Sequence, residues 1–290
     1  MKKMLIIASG LIPLAFIFYP VFFVSTASCV PPESHYAPIP EYSNLYSFPK
    51  FNIPEAKSAG SVNLTTVIIV PEYKDTYTQE YAGGARVAAG GPITTGMLKV
   101  FKSFAGSLGE DVQAQLVAKG MTTKGPYAMS EVTYPDKKGA DLTVSTNIIF
   151  DINYSSTAKY IGERSFTGGV YGKMYSSVMT VGMKVYYQML EPLSEEKMWI
   201  KKLDLGVQEF PFTYAMQQER YVTGSDGCGG YYYGWRDTNT YIYDERVKIF
   251  SDVLKSSYPQ IMKTAWNYLD MDEMLNLKQK SQEIRERKRY

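Results

Sequence analysis

The part of this 290-residue chain best suited to bind a ligand is a run of glycines and aromatic residues, Gly224–Trp235. Aromatic rings stack on the apolar faces of sugars, and nearby charged side chains can hydrogen-bond hydroxyl groups. These residue types define a candidate contact set for a glycan or another partner: Tyr231, Tyr232, Tyr233, Trp235 and Arg236. The alternative interpretation is that the rings seal the edge of a sheet.

Glycines in this run permit tight turns with positive φ, so the backbone can push the rings outward. Neighbouring side chains of a strand point to opposite faces. At least one of three consecutive tyrosines is therefore expected to face solvent or a partner, unless another segment covers that side.

Catalytic chemistry has little support in the sequence. The single histidine, His35, lies in a proline-rich segment, which removes Ser-His-Asp and Cys-His arrangements from the folded domain. The carboxylates of Glu195 and Glu196 fall in a predicted turn, where burial cannot shift a pKa. Gly91–Gly96 has the outer glycine spacing of a phosphate loop but is followed by methionine instead of lysine. We expect a protein that is not an enzyme and needs no cofactor.

Charge and cysteine content narrow the partners further. The chain has 31 basic and 29 acidic residues, a net charge of +2, which provides no global field to attract nucleic acid. Its two cysteines, Cys29 and Cys228, and one histidine cannot supply a structural zinc site. If Cys29 is not modified, a disulfide between the two cysteines is an open alternative.

The N-terminus has the pattern of an export signal. Lys2 and Lys3 precede an apolar stretch, Met4–Val24, and small residues then lead to Cys29. A cysteine at this place is typical of a bacterial lipoprotein, so residues 1–28 are predicted to be a signal peptide and Cys29 the lipidated residue. A simple cleaved signal and a retained membrane anchor are the alternatives.

Three further segments follow the signal. Residues 29–60 hold many prolines and are predicted to form an extended tether. Residues 61–275 are predicted to form one α+β domain. Residues 276–290 are strongly basic and are predicted to be a frayed or disordered tail that contacts anionic lipid, an acidic partner or only solvent.

The expected fold class is α+β, with a mainly antiparallel sheet, a long hairpin, helices packed on one face and a strand-helix-strand start. The organising strand is Asp141–Ile152, because apolar and polar residues alternate along it. Its polar face, with Thr143 and Ser145, is expected to tolerate lysine. The other predicted elements are strands Leu64–Val70 and Tyr127–Tyr134, the hairpin Val181–Leu190 with Met198–Leu205, a helix from Met97, a helix from Tyr241 interrupted at Pro259, and an irregular excursion Tyr154–Lys173.

These elements, in this order, resemble the neuraminyllactose-binding hemagglutinin (HpaA-like) family of outer-membrane lipoproteins. Three segments and the basic C-terminal end carry the resemblance: Lys137–Val144, Val185–Ser194 and Leu203–Leu205. It implies a lipid-anchored protein of the cell outer membrane, exposed at the surface or associated with a flagellar sheath, that acts as an adhesin for sialylated glycans. The alternative function is a structural lipoprotein of the cell envelope that self-assembles or supports an envelope complex.

The lipid anchor gives the first testable prediction. If Cys29 is acylated, Cys29→Ala abolishes metabolic labelling with palmitate and leaves an unprocessed precursor, because the thiol is the acceptor of the lipid. Labelling of cells that express either form measures this. A variant that still incorporates palmitate would place the anchor elsewhere.

Overall fold

The computed structural model describes residues 44–58, 60–76, 93–166, 169–226 and 228–289. The predicted α+β fold class is confirmed. The predicted signal peptide, Cys29 and His35 lie outside the described residues. Among the helices described, none is both long and apolar enough to cross a membrane.

One mixed sheet of eight strands organises the described chain. The strands are β1 (Thr65–Ile69), β2 (Tyr73–Asp75), β3 (Thr122–Tyr127), β4 (Leu142–Tyr154), β5 (Lys159–Phe166), β6 (Val170–Leu190), β7 (Lys197–Ser225) and β8 (Tyr231–Asp244). Their order is β3-β1-β4-β6-β7-β8, with β2 also beside β4 and β5 beside β6. Pairs that involve β1 or β2 are parallel, and all other pairs are antiparallel.

Two long helices cover one face of this sheet, which we call the front face. The helices are α1 (Thr95–Ala118), α2 (Tyr134–Lys138), α3 (Arg246–Tyr268) and α4 (Met271–Lys288). The long helices α1 and α3 pack with β4 and β6 in one apolar core. The predicted helix from Met97 is confirmed, and Thr94 caps it by accepting a hydrogen bond from the Met97 amide at 3.2 Å.

The organising strand is confirmed as β4, at the centre of the sheet. Val144 and Phe150 are buried against the helices, as the alternation predicts. The opposite face differs from the prediction, because Thr143 and Ser145 are also buried. A small apolar cluster forms on the back face from Val67, Ile69, Ala140 and their neighbours. Lysine at Thr143 or Ser145 is therefore expected to destabilise the fold.

Several predicted boundaries are wrong for local reasons. The predicted strand Tyr127–Tyr134 is a 3₁₀ turn followed by α2, since Thr133 caps that helix through the Asp136 amide. The predicted excursion Tyr154–Lys173 contains β5 and the start of β6. The helix predicted to start at Tyr241 is α3, and it starts only at Arg246 because Tyr241 still pairs with β7. It continues through Pro259 without the predicted interruption.

The predicted tether does not extend to residue 60. From residue 44 the chain packs across the helices: Leu45 is buried, and the Ser251 hydroxyl donates to its carbonyl at 2.8 Å. The amide of Phe51 donates to Asp111 at 2.9 Å, and the ring of Phe48 meets the ring of Phe104 edge-on. Residues 44–58 therefore belong to the folded domain.

The basic C-terminal tail is ordered, contrary to the prediction, because α4 buries Leu277 and Ile284. Its Arg285 donates to the fully buried Glu191 at 2.8 Å and to the carbonyl of Ala140 at 2.6 Å. Glu191 lies in the turn between β6 and β7. This buried ion pair fixes α4 to the end of the long hairpin.

Burial works to raise the pKa of Glu191, but hydrogen bonds from the Ser194 amide and from Arg285 outweigh it, so the pKa lies below the ordinary 4.5. The unfolded chain takes up the proton more readily than the folded chain. This contribution to stability is present above the ordinary pKa and is lost as the pH falls through the folded-state pKa.

We expect Arg285→Ala to lower the free energy of unfolding by about 3 kcal/mol, because it leaves the Glu191 carboxylate buried without its cation. Urea unfolding at neutral pH measures the change. Arg287→Ala is the matched control, since Arg287 and its partner Glu196 are exposed; it should cost less than about 1 kcal/mol. Equal losses of unfolding free energy in the two variants would show that the buried pair stabilises the fold no more than the exposed pair does.

A candidate ligand-binding site on the β-arm

The sheet continues past the helices that cover it, and we call this continuation the β-arm. It consists of β5, residues 170–178 of β6, residues 211–225 of β7, and β8. At its base the Glu245 amide donates to the carbonyl of Thr213 at 3.2 Å, one residue before α3 begins. The arm is thus a direct extension of the sheet.

A cation surrounded by rings braces the base of the arm. Arg246 donates two hydrogen bonds to Asp244, at 2.8 and 2.7 Å, and its guanidinium lies 4.8 Å from the ring centre of Tyr241 and 5.3 Å from that of Tyr154. Burial raises the pKa of Tyr154 to about 12, so this phenol stays neutral at physiological pH. The bidentate pair and stacked rings hold the first turn of α3 against the arm.

Strand β6 determines which side chains face the front of the arm. Met179 and Val181 are buried under the helices, at alternate positions of the strand. Tyr175, Lys173 and Tyr171 continue the same alternation outward, so they point to the front face beyond the end of the helix layer.

A hollow of about 350 Å³ opens on the front face of the arm. The rings of Tyr171 and Trp235 form one wall, with centres 5.8 Å apart and planes inclined at 51°. Glu163, Lys173 and Gln218 supply polar groups around it. Two inclined exposed rings beside hydrogen-bonding side chains suit a ligand with both apolar and hydroxylated surfaces.

Asp237 organises the polar side of the hollow. It accepts hydrogen bonds from Gln218 at 3.0 Å and from the Tyr175 hydroxyl at 3.1 Å, and the Lys173 ammonium lies 3.4 Å away. Burial works to raise the pKa of Asp237, but these donors outweigh it and hold the pKa below its usual range. The carboxylate is therefore ionised at neutral pH and orients Gln218 and Lys173.

Arg220 stands beside the hollow with its donors unused. It pairs directly with Trp235 across β7 and β8, so both side chains lie on the front face. Its guanidinium lies 3.6 Å from the ring centre of Tyr233. Within the described residues the Arg220 side chain forms no ion pair or hydrogen bond, so its planar N–H groups are available to an anion.

The structure separates the predicted contact residues into three places. Trp235 lines the hollow, and Tyr233 supports Arg220. Tyr231 and Tyr232 lie beyond the hollow at the end of the arm, where each is about 60% exposed (61% and 62%). Arg236 lies on the back face, paired with Glu219 and near the ring of Tyr221.

Of the five residues that line the hollow, sequence reasoning finds only Trp235; it misses Glu163, Tyr171, Lys173 and Gln218, and also Arg220 beside the hollow. Tyr171, Lys173 and Tyr175 alternate, which is a strand signal, but the first two lie in the segment predicted to be irregular, Tyr154–Lys173, and Tyr175 lies just after it. Only the register of β6, β7 and β8 brings them to Trp235. Across the described ranges, no group of three or more His, Cys, Asp or Glu side chains is arranged to hold a metal ion.

Comparisons with known proteins give only distant similarities. No protein-family model matches the chain, and no curated protein matches it. Its structure is similar to that of a neuraminyllactose-binding hemagglutinin homolog from Helicobacter pylori, with 14% sequence identity and a TM-score of 0.46. That alignment covers 82% of this chain and 97% of the other.

A second similar structure is that of a Xanthomonas campestris protein of the DUF330 family. The sequence identity is 6%, the TM-score is 0.26, and the alignment covers 74% of this chain and 90% of the other. Both similarities are too weak to assign a ligand.

Exposure of the arm's rings predicts that they contribute little to stability. Tyr231→Ala and Trp235→Ala should each change the free energy of unfolding by less than about 1 kcal/mol. Phe212→Ala is the contrasting variant, because Phe212 is buried at the arm's base; it should cost about 3 kcal/mol or more. Chemical denaturation measures all three. Comparable losses would show that the exposed rings are covered in solution.

Proposed function

We propose that this protein is a non-enzymatic, lipid-anchored adhesin of the cell outer membrane that binds sialylated glycans through the front face of the β-arm. The observation that carries the proposal is the pair of inclined rings, Tyr171 and Trp235, beside the guanidinium of Arg220, which has no ion-pair partner among the described residues. The anchor in this proposal is a lipid on Cys29.

Stacking and hydrogen bonding supply the neutral part of the recognition. The faces of the Tyr171 and Trp235 rings take the apolar face of a sugar, whose C–H groups carry partial positive charge. Gln218, Glu163 and Lys173 lie where they can bond hydroxyl groups. A volume of about 350 Å³ is at the small end of ligand pockets, which suits one or two sugar rings.

Arg220 supplies the anionic part. A guanidinium binds a carboxylate with two parallel hydrogen bonds, and stacking on Tyr233 fixes its plane while leaving its edges free. The cation inside the hollow, Lys173, is already committed to Asp237. The carboxylate of a sialic acid is therefore expected to bind Arg220, while the neutral sugar rings of the same glycan occupy the hollow.

One observation favours the alternative function, a structural envelope protein that self-assembles. β8 ends the strand order, so within the described chain no strand pairs with its outer edge. A free edge can pair with another copy. Analytical ultracentrifugation of the detergent-solubilised protein distinguishes the two functions: a single copy fits the adhesin, and concentration-dependent association fits the structural protein.

Glycan binding is tested with sialyllactose and lactose on full-length protein in detergent. Arg220→Gln should weaken sialyllactose binding about tenfold to a hundredfold, because a bond to a charged group contributes roughly 1.5–3 kcal/mol. It should leave lactose binding unchanged. Trp235→Ala should weaken both sugars, since the stacking wall is lost. Titration calorimetry measures the affinities.

Arg236→Gln is the matched control, because it removes an arginine from the same arm on the opposite face. Its affinities should equal those of the wild type. An equal loss in Arg236→Gln and Arg220→Gln would indicate nonspecific attraction by positive charge. Undiminished binding of both sugars by Trp235→Ala would exclude the hollow as the glycan-binding site.

A further inference from the structure

The end of the β-arm is almost uncharged and densely aromatic. We define the tip as residues 221–234, whose sequence contains four tyrosines but only one charged residue, Asp226. The Asp226 carboxylate accepts hydrogen bonds from the Cys228 and Gly230 amides, both at 2.8 Å, and so closes the turn. The only charge of the tip is therefore used within the turn itself.

Large side chains project from both faces of the tip. Tyr231 and Tyr232 are the most exposed, and Tyr221 and Val222 on the partner strand are 41% and 53% exposed. Tyr231 and Tyr232 are not part of the hollow. Amphipathic rings of this kind are favoured at the boundary between lipid headgroups and acyl chains.

The spacing along β8 connects this tip with the proposed glycan site. Trp235 in the hollow and Tyr232 in the tip are three residues apart, which is about 10 Å along a strand. A bilayer surface in contact with the tip would therefore lie about 10 Å from the hollow. That separation matches a short sugar headgroup that projects from the same bilayer.

We propose that the tip docks into the interfacial region of a target bilayer while the hollow binds the headgroup of a glycolipid in it. This inference rests on the proposed function and narrows its substrate class to sialylated glycolipids. The rings of Tyr231 and Tyr232 bury their apolar parts among the headgroups and keep their hydroxyls in water. Arg220, just below the tip, meets the carboxylate of the headgroup.

Cys228 provides a natural position for a probe, because it is exposed in the turn of the tip. Full-length protein, held in phosphatidylcholine nanodiscs, is labelled there with a thiol-reactive, environment-sensitive fluorophore. Target vesicles contain brominated phosphatidylcholine, which quenches on contact, with or without sialyllactosylceramide. Cys228→Ser, treated identically, corrects for label on any other thiol. Val207→Cys in the Cys228→Ser background carries the fluorophore on an exposed site outside the arm.

The expected result is quenching of the Cys228 label by vesicles that contain the glycolipid, without quenching of the label at Val207→Cys. Replacing both rings, Tyr231→Ser with Tyr232→Ser, should abolish the quenching and weaken binding to these vesicles by roughly tenfold or more. Affinity for soluble sialyllactose should stay unchanged, because the hollow is intact.

Two outcomes overturn the inference while leaving glycan binding in place. One is vesicle binding without quenching of the tip label. The other is quenching only when the brominated lipid is in the nanodisc, which would mean that the tip docks on the membrane that holds the protein. If soluble sialyllactose does not bind at all, the proposed function fails, and quenching then reports a lipid contact without glycan recognition, which also overturns the glycolipid inference.

Discussion

The uninterrupted alternation of β6 is the constraint on which the rest of the structure depends. This strand pairs with β4 and β7 in the body of the fold, and with β5 and β7 in the arm. The extra residues that disturb its pairing lie in the partner strands, so its own side chains never change face. The face that builds the core under α1 and α3 therefore becomes, without interruption, the face that carries Tyr171, Lys173 and Tyr175.

The long strand pair formed by β6 and β7 is attached to helices at its turn and at the base of the arm. At the turn between β6 and β7, the buried pair of Glu191 and Arg285 ties the hairpin to α4. At the base of the arm, Arg246 with Asp244 ties β8 to α3. On the back face of the arm, Gly172 leaves room for Ile242, since a Cβ there would lie 2.4 Å from its side chain. These contacts make the arm a fixed extension of the sheet.

Sequence reasoning recovers the body of this fold better than the arm. β4 and α1 were predictable because their apolar residues repeat at periods of two and 3.6 over many residues. The segment with β5 was missed, since serine, threonine and glycine dilute the alternation. The predicted strand after Tyr127 is wrong because the capping residue Thr133 and the following Pro135 favour a helix start.

The candidate site was less predictable, for a physical reason. The exposed rings of Tyr231 to Trp235 could be found from composition alone. Their grouping could not, since irregular pairing between β7 and β8 near Met216 and Val222 shifts which side chains share a face. A shift of one residue would have placed Arg236 beside the hollow and Trp235 on the opposite side.

That register places the two cations, Lys173 and Arg220, in different environments. Lys173 lies between Asp237 and the paired position of Glu163, so its charge is balanced within the arm and it can offer hydrogen bonds to a neutral sugar. Arg220 has no carboxylate partner in the described chain, and Tyr233 supports its plane without neutralising it. A neutral ring and an anionic group on one ligand would thus find separate partners on one face. Because strand pairing sets the distance between those partners, the proposed site would select for where the charge lies on a ligand as well as for its presence.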